Sequence, residues 1–117
     1  MSDKKNLDSF GKQLITSVRD RSIEKFEKIT IGALKSQKAL ELHKLIQQFD
    51  ENQKKVIRTL IIESIDNTIF NFLDMIEQHE DNIKLIVSNK NINEISDGLS
   101  GELLTEDGWI ERFSKLK

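Results

Sequence analysis

The chain contains no cysteine and no proline. The first absence excludes disulfides, thiolate metal ligands and a thiol nucleophile. The second removes the residue that most effectively breaks helices, because proline lacks a helical donor and clashes with the preceding turn. Glycine occurs only five times, and three of the five lie between Gly98 and Gly108, so turn-forming backbone is concentrated near the C-terminus. Long hydrophobic runs are missing as well. Nothing approaches the ~20 apolar residues of a membrane span, and the opening MSDKKNLDS lacks the pattern of a signal peptide. The expectation is a cytoplasmic protein with no membrane association. Lysine outnumbers arginine by 14 to 4 and isoleucine leads the apolar residues, a bias that suggests a bacterial source.

What is present is charge and helical periodicity. Of 117 residues, 32% are charged, with a net charge of −2. That near-balance hides an asymmetry. Residues 1–60 hold 13 basic and 8 acidic residues, whereas residues 61–117 hold 5 basic and 12 acidic. A basic half and an acidic half can neutralise each other within one fold, steer a partner, or meet head to tail between copies. The length fits one domain, 1–117. A compact chain of this size would show roughly 6,600 Å² of surface, enough burial to fold without staples.

The spacing predicts a mainly α protein: a helical bundle with one long central helix. Leu7, Phe10, Leu14 and Val18 recur at helical intervals. The stripe either continues through Ser22, Phe26 and Ile29 or breaks near Asp20 and restarts. After Gly32, a second helix is expected from about Leu34 to Phe49, with Ala39, Leu42, Leu45, Ile46 and Phe49 on its apolar face. Asp50 followed by Gln53 resembles a capping box and opens the strongest element, from about Glu51 to Gln78. Its apolar arc, from Ile57 to Ile76, is wider than an edge helix needs, which points to a central position. Such a helix is about 42 Å long, so the domain is elongated or the helix ends pack against a second copy. Ile83–Val87 is a short apolar run that periodicity cannot assign to strand or helix; a short β-hairpin near residues 83–96 is one possibility. Thr105 is the expected N-cap of a short C-terminal helix carrying Trp109 and Phe113 on one face.

Catalytic and metal-binding patterns are weak. Neither His43 nor His79 stands in a Glu-x-x-His or HExxH arrangement. The alternation Asn89, Asn91, Asn93 starts like a calcium loop but lacks its glycine and its final glutamate. Gly98-Leu99-Ser100-Gly101 is one residue short of a nucleophile elbow. No metal, no cofactor and no catalytic residue are expected. The basic residues Lys35, Lys38, Lys44, Lys54, Lys55 and Arg58 come without a nucleic-acid-binding motif, and nucleic acid is disfavoured. Arg58 falls on the apolar arc, where its stem packs and its head reaches a carboxylate or water.

The most informative feature is on the polar side of the long helix. Glu63, Asp66, Asp74 and Glu77 project within roughly 80° of arc, with Phe70 in their middle. Three readings stay open: an aromatic anchor ringed by acids for a basic protein partner, a Phe70 packed beneath the C-terminal segment, or a divalent-metal site.

The segment DGLSGELLTEDGWIERFSK (Asp97 to Lys115), after IIESIDNTIFNFLD (Ile61 to Asp74), resembles a small uncharacterised bacterial family. In type, such small acidic domains are similar to immunity proteins, which bind and block a toxin domain. That resemblance implies no activity and carries over no functional residue. The leading expectation is a non-enzymatic interaction protein of immunity or inhibitor type. It would bind a basic partner through Glu63, Asp66, Phe70, Asp74 and Glu77. The alternative is a homodimeric structural or regulatory domain, in which the basic half of one chain meets the acidic half of another. A third possibility is an enzyme built on His79 or on a metal at the stripe.

Overall fold

In the computed structural model, which describes residues 3–117, the first helical stretch runs without a break. Helix α1 (Asp3–Leu14) passes into a π-helical segment (Ile15–Asp20) and then into α2 (Arg21–Thr30). Leu14, Asp20 and Arg21, at the two junctions, all keep right-handed helical backbone. The π segment has a physical cause. Leu7, Gly11, Ile15, Arg19 and Ile23 are buried at a strict spacing of four. On a straight α-helix that spacing drifts by about 40° per step, and a wider turn absorbs the drift. The same register change corrects the sequence expectation for Val18. It is 46% exposed, and Arg19 takes the inward position.

Gly32 ends this stretch with φ of +75°, a conformation that disfavours side chains, and a Cβ there would lie 2.8 Å from His43 Nε2. Helix α3 (Gln37–Ile46) starts later than the sequence suggests, because Ser36 caps it by accepting from the Ala39 N–H. Helix α4 (Glu51–Gln78) opens with the expected capping box. The Asp50 side chain accepts from Gln53 N at 2.8 Å, and Gln53 returns a contact to Asp50 N at 2.9 Å.

The acidic C-terminal half is mostly loops and short elements. Strands β1 (Ile86–Val87) and β2 (Lys90–Asn91) form a two-stranded antiparallel hairpin. Its tip residues, Ser88 and Asn89, both have positive φ, as a tight hairpin turn requires. Helix α5 (Ile92–Ile95), a 3₁₀ turn (Ser100–Glu102) and α6 (Trp109–Phe113) follow. Thr105 does not cap α6. It adopts φ of 104°, and Gly108 takes the cap position, where a Cβ would lie 2.5 Å from the Leu104 carbonyl oxygen.

The core lies at one end. Leu7, Leu14 and Ile15 from the first stretch meet Ile69, Leu73 and Ile76 of α4, and are closed over by Ile92, Leu99, Leu103 and Trp109. Trp109 is fully buried, lies across Gly11, and meets Phe10 edge to face at 5.8 Å. The first half of α4 contributes no buried residue. The molecule is elongated, 48 × 29 × 25 Å, with a radius of gyration of 16.8 Å against about 13 Å for a compact chain of this length. Its accessible surface, 7931 Å², exceeds the roughly 6,600 Å² of a compact fold.

Candidate interaction surface

The acidic stripe divides once its neighbours are in place. Glu63 is exposed, and Asp74 is half-buried with Gln78 Nε2 at 3.4 Å. Asp66 instead faces inward to Arg19. The guanidinium donates from Nε to Asp66 Oδ1 at 2.6 Å and from Nη2 to Oδ2 at 3.3 Å. From Nη1 it also reaches Asp20 Oδ1 at 3.0 Å, Ser114 Oγ at 2.8 Å and the Leu116 carbonyl. Asp20 in turn accepts from Ser114 Oγ and Lys115 N, both at 2.8 Å. Arg19 is 2% exposed, so this ionic network is shielded from water and clamps the C-terminal segment onto the π turn. Glu77 is likewise committed, since its Oε1 accepts from Ser100 N at 2.9 Å and Ser100 Oγ at 3.1 Å. Phe70 is half-buried and packs on the core. The five residues therefore do not form one open patch: three of them fasten α4 to the π turn and the C-terminal elements.

The remaining candidates make contacts within the chain. His43 donates from Nδ1 to the Ile29 carbonyl at 2.9 Å, and His79 does the same to Met75 at 2.8 Å on its own helix end. Arg58 reaches Glu27 with two bonds, at 2.7 and 3.0 Å, across the α2–α4 contact. Asn93, also buried, donates to the Ile76 carbonyl and so closes the C-terminal end of α4. Asp8 holds Arg112 in a bidentate pair at 2.9 and 3.2 Å, joining α6 to α1. The Arg112 hydrogen bond holds the Asp8 carboxyl below its ordinary range, against a smaller opposing effect of burial. Among the described residues, no group of three or more His, Asp or Glu side chains converges to hold a metal, and no helix is long and apolar enough to cross a membrane.

The surface that is open lies elsewhere on α4. Seven of the eleven exposed large apolar side chains belong to α3, the turn after it, or α4, so the exposure is concentrated on one part of the molecule. On α4 itself, Ile57, Leu60, Ile61, Ser64, Asn67, Thr68, Asn71, Phe72 and Met75 fall within about 140° of arc at 100° per residue. None of them carries a charge. Leu60 is 60% exposed, Phe72 47% and Met75 42%. At the N-terminal end this face runs into an apolar cleft of about 340 Å³ between α2, α3 and α4, lined by Phe26, Leu42, Leu45, Phe49, Ile57 and Ile61. Ile61 also lines a smaller cleft with Val18, Ser64 and Thr68, so small polar side chains connect the apolar cleft to Phe72 and Met75 along the helix.

No family model, curated protein or solved structure matches the chain. Periodicity alone missed this surface because it counts an apolar arc without saying how much of it is covered. Phe72 and Met75 sit on the arc just as Leu73 and Ile76 do. The available signal was the absence of charge from the opposite flank, at Leu60, Ser64, Asn67 and Asn71.

Proposed function

We propose that the protein is a non-enzymatic protein–protein interaction module whose contact surface is the uncharged face of α4 with its adjoining cleft. The observation that carries this is the exposure of Leu60, Phe72 and Met75 on a helix face with no charged residue between Ile57 and Met75. A face that is neither covered nor charged costs solubility when left open and stabilises a complex when buried. The acidic stripe supports a basic partner less well, because Asp66 and Glu77 already serve Arg19 and Ser100.

The test is a photo-crosslinking residue placed at Leu60 in the living cell, with Lys12, exposed on α1, as the control position. The expected result is a protein adduct at Leu60 and none at Lys12. An equal yield at both positions, or none at either, overturns the proposal.

A further inference from the structure

We infer that the partner is a second copy of this chain, docked antiparallel along α4, with Phe72 and Met75 of each copy entering the cleft beside Ile57 of the other. The inference rests on the interaction-module reading and names its occupant.

One helix face carries both halves of a contact. Phe72 and Met75 form an exposed apolar knob near its C-terminal end. The open cleft lined by Phe26, Leu42, Leu45, Phe49, Ile57 and Ile61 forms a hole near its N-terminal end. Knob and hole stand roughly 22–27 Å apart at 1.5 Å per residue. A continuous helix cannot bend to bring its own knob into its own hole. A two-fold axis crossing α4 near Asp66 satisfies both at once, each copy filling the other.

The same axis orders the rest of the face. Residues equidistant from position 66 match in kind: Ile57 with Met75, Leu60 with Phe72, Ser64 with Thr68. The small hydroxyl residues fall at the centre, where two helices approach most closely, and the large apolar ones at the ends. Ile61 faces Asn71. Between Ile57 and Met75 this face of α4 brings no charged side chain into the seam. Methionine suits the knob because its unbranched chain adapts to an irregular cleft. The pairing is isologous and closes on itself, whereas head-to-tail stacking would leave one knob and one hole open at the ends and continue to grow. Leu45, Phe49, Leu60, Phe72 and Met75, the exposed apolar side chains on this face and around the cleft, supply the larger part of the ~800 Å² that each partner gives to a standard interface, and the small polar side chains between them add to it. The interface lies on uncharged surface, so it does not depend on the basic half meeting the acidic half.

The purified full chain is measured by light scattering over a concentration series. The expected mass is twice 13.6 kDa. The double substitution Phe72→Glu with Met75→Glu should raise the dissociation constant by at least about 100-fold, since it replaces the apolar anchors of both clefts with carboxylates that would have to be desolvated. Helical circular dichroism should be retained, because both positions are exposed. Because the native chain has no cysteine, geometry is tested by Ile57→Cys with Met75→Cys. The double variant should form a covalent dimer on mild oxidation, and neither single variant should.

A monomeric mass at every concentration overturns the inference, as does a dimer unaffected by the two glutamates. Cross-linking by Ile57→Cys alone would mean parallel pairing and also overturns it. A monomer in solution together with a Leu60 adduct to a different protein in the cell would overturn self-pairing while leaving the interaction module standing. A monomer with no adduct would overturn both.

Discussion

Arg19 shows how much one side chain can hold. It lies near the end of the π turn with a water-shielded guanidinium, and its acceptors come from the same turn, from α4 and from the C-terminal segment. Removing the cation would leave Asp66 without its charge partner and Asp20 with only the neutral donors Ser114 Oγ and Lys115 N–H. Breaking one side of a buried pair costs about 3–5 kcal/mol. Arg19→Met is therefore expected to lower unfolding stability by about that amount in urea denaturation. Asp66→Asn added in that background should cost much less than it does alone, because the two act as one unit. Charge reversal at Asp66 would report on folding before it reported on any partner. Nothing in the local sequence marks Arg19 as buried: it sits beside Val18, a more apolar residue in the expected stripe, and its partner Asp66 is 47 positions away.

At the scale of elements, the short C-terminal pieces depend on contacts with the long ones. Helix α6 spans only Trp109–Phe113, far below the length at which an isolated helix is stable. Trp109 across Gly11 and Arg112 on Asp8 hold it to α1. The Asp8 carboxyl is held below its ordinary range chiefly by the Arg112 hydrogen bond. A depressed folded value means that the contribution is fully present above the ordinary carboxylate range and is lost as the pH falls through the folded value. Acid titration followed by Trp109 fluorescence should show α6 loosening in that window. Asp8→Asn should remove that part of the pH dependence and cost up to about 1 kcal/mol at neutral pH, as for a partly exposed pair. The cap at Asp50 was legible in the sequence because a capping box is a pattern of adjacent residues. The α6 cap was not, because the close approach of Gly108 to the Leu104 carbonyl, rather than a polar side chain, selected it.

Over the whole molecule, packing is uneven. The core joins α1, the second half of α4 and the C-terminal elements, while the other end rests on Ile23, Ala39, Ile46 and the Arg58–Glu27 pair. Local opening follows buried contact density. Native-state hydrogen exchange should therefore protect amides of α4 around Ile69–Ile76 most strongly and those of α3 least. With the chain paired through the α4 face, protection should rise selectively at α3 and at Ile57–Ile61, and this rise should vanish in the Phe72→Glu, Met75→Glu variant.

The sequence by itself determined the long helix, its capping box and the separation of basic from acidic halves. Each of these follows from side-chain period or local hydrogen bonding, which act over a few residues. Only the tertiary structure decided that Val18 turns outward and Arg19 inward, that Asp66 and Glu77 serve internal partners, and that Leu60, Phe72 and Met75 remain uncovered. Those outcomes depend on which distant segments come to rest against α4. A helix face has the same sequence whether or not something lies on it, and burial belongs to the neighbours as much as to the residue.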